Sequence, residues 1–157
     1  MNARGLGEVG DLYRRCVRIL GNAEMAQDAA QEVFVRVLEH VGSLHDDRAY
    51  LPWLYRVSTN YCLDRLRQRI RDSAMAAGLP PESTTPGPEC GLAMRQWFDM
   101  FLEGIDEQSQ QIAIYSFVDG MTQEEIATVM GLSRRTVGKK ITRLRENARY
   151  LRAAVGP

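Results

Sequence analysis

Apolar residues recur along this chain at steps of three and four, broken by short polar stretches, which is the spacing of amphipathic helices. The first helix is predicted from about Val9 to Leu20, stopping at Gly21, with Asn22 placed to cap the next. In the second, Ala26, Ala29, Ala30, Val33, Phe34, Val37, Leu38 and Val41 alternate steps of three and one, so all belong to one predicted core face. Gly42 ends it. Residues 43–47 form a short polar loop, Asp46 or Asp47 caps a third helix, and Pro52 falls in or near its first turn. On that helix Leu54, Val57, Tyr61 and Ile70 are expected to face a core, while Arg56, Asn60, Asp64, Arg67 and Arg71 share a polar stripe. Further on, Met94, Trp97, Phe98, Phe101, Leu102 and Ile105 mark another amphipathic helix. Asp106 caps the next, over about 107–118, and Asp119-Gly120 closes it. No strand pattern and no internal repeat interrupts this series, so the fold class is all-α.

The pattern fails in one place. Between Arg71 and Gly91 lie Pro80, Pro81, Pro86 and Pro88 among polar residues, which precludes a regular helix. A flexible linker over 72–91 is predicted. It divides the chain into a three-helix domain, 1–71, and a four-helix domain, 92–157.

Residues 122–145 carry the clearest chemistry. Thr122 and Glu125 form a T-x-x-E capping box, and Ile126, Ala127 and Met130 supply one buried face of a short helix. Gly131 ends that helix, Leu132 fills the corner, and Ser133 caps a second. There Val137, Ile141 and Leu144 repeat at i, i+4 and i+7 and face inward. Arg134, Arg135, Thr136, Gly138, Lys139, Thr142 and Arg143 therefore face away from the core, and Lys140 beside them is a candidate phosphate contact. This is a helix-turn-helix, whose second helix reads base edges in a major groove while surrounding Lys and Arg hold phosphates. A glycine inside such a helix costs about 1 kcal/mol against alanine. Gly138 marks either a close approach of backbone to DNA or an exposed site under little constraint.

Charge sharpens this picture. The chain is neutral overall, with 20 Lys and Arg against 20 Asp and Glu. Yet residues 133–152 hold eight basic side chains against Glu146 alone, and residues 55–71 hold five against Asp64 alone. An acidic stretch, 93–132, separates them. Two basic surfaces imply two contacts with nucleic acid. Cys16, Cys62 and Cys90 are widely spaced, with no metal-ligand pattern and no disulfide framework. Cys16 and Cys62 read as helix-packing residues. No apolar run is long enough to span a bilayer and no signal peptide is seen, so a cytoplasmic protein without membrane insertion is expected. No phosphate loop, metal cluster or nucleophile–base pair suggests an enzyme or a cofactor.

Four ordered stretches together resemble the extracytoplasmic-function (ECF) group of bacterial RNA polymerase sigma factors. Residues 26–34, AQDAAQEVF, resemble the group's A-x-D-x-x-Q-E-x-F motif in region 2. Trp53-Leu54-Tyr55-Arg56-Val57, followed by Asn60, Asp64 and Arg67, resembles its W-L-x-x-I-x-x-N-x-x-x-D-x-x-R segment. The proline-rich stretch sits where the family has its interdomain linker, and residues 106–145 resemble region 4. Two departures are Gly138 and a first helix shorter than the family's, which puts the packing of region 2 and the native start in question.

The resemblance implies a mechanism. Asp28, Gln31 and Glu32 match a surface that docks on the clamp helices of the polymerase's largest subunit, and region 4 meets the flap of the second subunit. Arg56, Asn60 and Arg67 match a helix that reads and opens the −10 element. The loop with His45 and Asp46 matches one that captures an unstacked base, and Trp53 matches a support for the melted edge. Region 4, through Arg134, Arg135, Lys139 and Arg143, reads the −35 element as duplex. An anti-sigma factor is an expected further partner. Two other functions remain open at this point: a stand-alone helix-turn-helix regulator, which leaves the first half unexplained, and a sigma mimic that titrates an anti-sigma factor, which has no need of the basic residues.

Overall fold

The computed structural model describes residues 9–40, 42–43, 46–75 and 92–155. All regular elements among them are helical: α1 Val9–Leu20, α2 Ala23–His40, α3 Asp47–Met75, α4 Leu92–Glu103, α5 Glu107–Ala113, α6 Gln123–Met130 and α7 Arg134–Val155. The chain divides into two compact units, Met1–Cys90 and Gly91–Pro157.

In the first unit α1, α2 and α3 pack on one another. Gly21 adopts a left-handed φ of 64° and ends α1, and the Asn22 side chain accepts the Met25 N–H at 2.9 Å to start α2. Asp46 starts α3 in the same way, accepting the Arg48 N–H at 2.9 Å. Pro52 is the sixth residue of α3, near its first turn as expected, and the helix forgoes one backbone bond there. At its other end α3 continues to Met75, four residues past the expected boundary at Arg71. Residues 76–91, which hold the four linker prolines and Cys90, lie outside the described residues, as do Val41 and His45.

The core of this unit differs from the predicted one in two places. On α2, Ala26, Ala29, Ala30, Val33 and Val37 are buried, but Phe34 is 41% and Leu38 63% exposed. The buried stripe of α2 is narrow, and Phe34 and Leu38 fall at its margin. On α3 the buried face is Leu54, Tyr55, Ser58, Thr59, Cys62, Leu63 and Leu66, whereas Val57, Tyr61 and Ile70 are only half-buried. The phase is turned because two hydroxyl residues sit in the core opposite Arg15, which is 1% exposed. Arg15 donates to Ser58 Oγ at 2.7 Å and to Thr59 Oγ1 at 2.6 Å, and its guanidinium carbon stands 4.8 Å from the centre of the Tyr55 ring. A buried cation is tolerated only when its donors are satisfied in this way.

In the second unit Phe101, Leu102, Ile112, Ile114, Tyr115, Ile126, Val129, Val137, Ile141 and Leu144 form the core. Ile126 is buried as expected, but its partner on α6 is Val129, three residues on, while Ala127 and Met130 are half-buried. Met94, expected in the core, is 57% exposed. The predicted 107–118 helix exists, yet its last turn, Ile114–Val118, widens to π-helix before Gly120 turns the chain at φ 65°. Gln110 is buried and gives its amide to the Leu102 carbonyl at 2.8 Å, fastening α5 to the end of α4.

Candidate nucleic-acid interface

The helix-turn-helix is built as its sequence dictates. Both bonds of the capping box form: the Glu125 N–H donates to Thr122 Oγ1 at 3.2 Å, and the Thr122 N–H to Glu125 Oε2 at 3.2 Å. Gly131 is left-handed at φ 67°, and Leu132 N–H reaches back to the Ala127 carbonyl, the closing bond of a Schellman turn. Ser133 Oγ accepts the Thr136 N–H at 3.1 Å and starts α7. Val137, Ile141 and Leu144 are buried as expected, which fixes the rotation of α7. That rotation turns Arg134, Arg135, Lys139, Thr142 and Arg143 outward. The helix is longer than the short reader that was expected, 22 residues in all.

Arg134, Arg135, Gly138, Lys139 and Thr142 share a shallow concavity with one residue of α6, Gln123. Gln123 was not among the expected contact residues. Its place in the first turn of α6, directly after the Thr122 cap, is the only signal the sequence offers, since the first helix of a helix-turn-helix crosses the DNA backbone. It also supplies a third reading of Gly138. An added Cβ there would stand 3.1 Å from Gln123 Oε1, so the missing side chain makes room for the Gln123 amide. Thr136 is half-buried, and its hydroxyl pairs with Ser133 Oγ at 2.9 Å, so it serves the start of α7.

Two of the basic residues have acidic neighbours. Arg134 lies 3.5 Å from Glu124, with both side chains well exposed, and such pairs contribute at most about 1 kcal/mol. Lys140 is different. Its side chain is 27% exposed and its ammonium lies 3.7 Å from Asp106, the residue before α5. A hydrogen bond from the Ser109 side chain, with Lys140 adding to it, holds the Asp106 carboxyl below its ordinary pKa. Lys140 thus braces α7 against the start of α5.

In the first unit Arg56 and Asn60 are exposed on α3, one turn apart. Arg67 lies further along the same stripe, half-buried and 2.8 Å from Asp64. Trp53 stands at the start of α3, half-buried between His40, with ring centroids 5.5 Å apart, and Tyr50, at 6.3 Å. Asp46 is exposed, with one carboxylate oxygen engaged as the helix cap. Asp28, Gln31 and Glu32 are all exposed on α2, and with Val35, 47% exposed, they follow i, i+3, i+4 and i+7. Exposed Phe34 and Leu38 flank this face. The second unit has an apolar groove of its own, formed by Trp97, Phe98, Phe101 and Phe117 with the stems of Arg145 and Arg149. The Trp97 and Phe101 rings stack there at 5.5 Å, and the Trp97 indole N–H is buried with no acceptor among the described residues.

No described helix is long and apolar enough to cross a membrane. Residues 8–71 match the sigma-70 region 2 family, and residues 95–147 match sigma-70 region 4. The chain is 26% identical over 155 residues to the ECF RNA polymerase sigma factor SigW of Bacillus subtilis, covering 88% of this chain and 81% of SigW. Its fold is similar to that of CnrH in complex with the cytosolic domain of CnrY, with a TM-score of 0.63 at 23% identity over 99% of this chain and 92% of CnrH. It is also similar to the sigma factor RpoE in complex with the anti-sigma factor NepR from Bartonella quintana, with a TM-score of 0.57 at 18% identity over 91% of this chain and 90% of RpoE. With a region 2 unit, a region 4 unit and a SigW-like span along its length, the chain belongs to the sigma-70 family, as an RNA polymerase sigma factor of the ECF group.

Proposed function

We propose that the two units divide promoter recognition between them, the first reading and opening the −10 element and the second reading the −35 element as duplex. The observation that carries this division is that each exposed basic surface is backed by a core of its own. Arg56 and Asn60 lie on the solvent side of the seam that buries Ser58 and Thr59. Arg135, Lys139 and Arg143 lie on the solvent side of the seam that buries Val137, Ile141 and Leu144. Arg and Asn offer donors and acceptors to bases and phosphates. Arg67, His45, Asp46 and Trp53 complete the −10 contact, with Trp53 held in its aromatic stack against the edge of the melted strand. A flipped base costs a few kcal/mol to extrude, and a pocket must offset that.

Asp28, Gln31 and Glu32 dock the first unit on the clamp helices of polymerase, and the exposed apolar residues Phe34, Val35 and Leu38 extend that surface. The apolar groove of the second unit takes the polymerase flap. Lys140, paired with Asp106, supports α7 rather than touching DNA. The RpoE neighbour is bound to an anti-sigma factor, and an anti-sigma partner belongs to this reading too. The chain works in the cytoplasm, where polymerase is, and catalyses no reaction of its own.

Reconstitution with core polymerase tests this. The purified chain plus core gives initiation at a cognate promoter and at no unrelated one. Stable core binding without initiation at any genomic promoter would favour a mimic that titrates an anti-sigma factor. Operator binding without affinity for core would favour a stand-alone regulator.

A further inference from the structure

Cys16 of α1 and Cys62 of α3 are both fully buried, and their sulfur atoms lie 3.8 Å apart. They are 46 positions apart in the sequence, so their contact is made by the fold alone. Each sulfur sits one rotatable bond from its helix, and a disulfide needs a separation of about 2 Å. Rotation about two Cα–Cβ bonds with a small approach of the helices supplies the difference.

We propose that Cys16 and Cys62 form an oxidisable pair that closes to a disulfide between α1 and α3 when the protein meets hydrogen peroxide. The surroundings favour one order of events. The Cys62 S–H bond to the Cys16 sulfur, and the neighbouring Arg15 guanidinium, draw the Cys16 thiol below its ordinary pKa, against burial that raises it. Cys16 is therefore the nucleophile. Its thiolate attacks one peroxide oxygen, the O–O bond breaks, and hydroxide leaves to give a sulfenic acid. The Cys62 thiolate then attacks the Cys16 sulfur, the S–OH bond breaks, and hydroxide leaves again. The two thiol protons join the two hydroxides, so two thiols and one peroxide give one disulfide and two waters. The pair loses two electrons and the peroxide gains them. Both sulfurs are shielded from solvent, so peroxide enters when α1 opens locally, with Arg15 still beside Cys16 on the same helix, and α1 closes again to bring the sulfenic acid to Cys62.

The position gives the bond a consequence. Cys16 follows Arg15, whose guanidinium already holds Ser58 and Thr59 on α3, and Cys62 lies one turn further along the same face. The disulfide adds a covalent tie beside that hydrogen-bonded one. Together they fasten α1 to the helix that presents Arg56 and Asn60.

The test uses the full chain. The protein is treated with graded hydrogen peroxide, quenched with catalase, unfolded, alkylated and digested without reductant. The Cys16 and Cys62 peptides are expected to emerge joined, lighter than their sum by two hydrogen atoms, and to separate on treatment with dithiothreitol. Amide hydrogen exchange across α1 is expected to slow in the oxidised protein and to recover on reduction. Recovery of both peptides alkylated, or of either cysteine carrying added oxygen, would overturn the pair. Unchanged or faster exchange in α1 of the joined form would overturn its role as a tie.

Discussion

The amide oxygen of Gln123 lies 3.1 Å from where a Cβ on Gly138 would stand, so the first residue of α6 occupies space that the fifth residue of α7 leaves open. Two helices of the recognition motif meet there without a side chain on one of them. Gly138→Ala separates stability from recognition. Alanine is better than glycine in a helix interior by up to about 1 kcal/mol, and the contact it makes is with the far end of a flexible side chain. The variant is expected to melt at a higher temperature than the parent yet bind −35 duplex more weakly, because the Gln123 amide is displaced. Calorimetry and titration of a labelled duplex check the two halves. A lower melting temperature with unchanged affinity would contradict the assignment.

Arg15→Ala removes a buried fork and leaves a void among Tyr55, Ser58 and Thr59. Lost charged hydrogen bonds and the cavity together predict a destabilisation of about 3 kcal/mol, read from urea unfolding of the full chain. Ser58 keeps its bonds to the Leu54 and Tyr55 carbonyls, so much of the loss falls on Thr59. Arg15→Lys keeps the charge but replaces the planar two-nitrogen fork and its stacking on Tyr55 with a single ammonium, and is expected to recover only part of the loss. A loss under about 1 kcal/mol in Arg15→Ala would show that the network is dispensable.

Asp106 gives a pH signature. Its folded pKa is depressed, by the Ser109 hydrogen bond first and Lys140 second, so its contribution is present above the unfolded carboxylate pKa and is lost as pH falls through the folded one. The group is largely exposed, and the effect is modest, about 0.5 kcal/mol at neutral pH. Asp106→Asn is expected to be less stable than the parent at neutral pH and equal to it in acid. A gap that widens towards low pH would reverse the sign of the argument.

Arg135→Ala is expected to weaken binding to the −35 duplex by about 1–3 kcal/mol if the guanidinium meets a base. If it meets a phosphate, the slope of log K against log salt falls by about one instead. Affinity for core polymerase stays the same in either case, as measured by native gel shift with core alone. Equal losses towards core and DNA would remove Arg135 from the DNA surface.

The helix-turn-helix was legible in the sequence because its signals are local. Thr122, Glu125, Gly131 and Ser133 act within one turn of themselves, and each bond they predict is present. The face of α3 was less legible because its buried positions are partly polar. Ser58 and Thr59 break the apolar pattern, and the partner that allows their burial is 43 residues away. Arg15 could have been suspected, since Leu12, Arg15, Cys16 and Ile19 share helical spacing, but a single helix does not show which polar residue will meet it. Phe34 and Leu38 mislead in the other direction. Their spacing continues that of the buried residues of α2, yet both fall at the exposed margin of the stripe, which a single helix's pattern does not mark. Lys140 carries the same charge as Lys139 in sequence, and the fold alone sends one to Asp106 and the other outward. Cys16 and Cys62 read correctly as packing residues, but their contact with each other has no local signature.

The division of labour between the two units is tested most directly by permanganate footprinting of the −10 element alongside promoter occupancy, on one cognate promoter with reconstituted polymerase. The predicted result is a split. Arg56→Ala with Asn60→Ala retains much of the occupancy and loses reactivity of unpaired thymines at −10, whereas Arg135→Ala loses occupancy and melts normally wherever the promoter is bound. If both variants lost occupancy and melting in the same proportion, the two surfaces would not be separate readers and the account would fail.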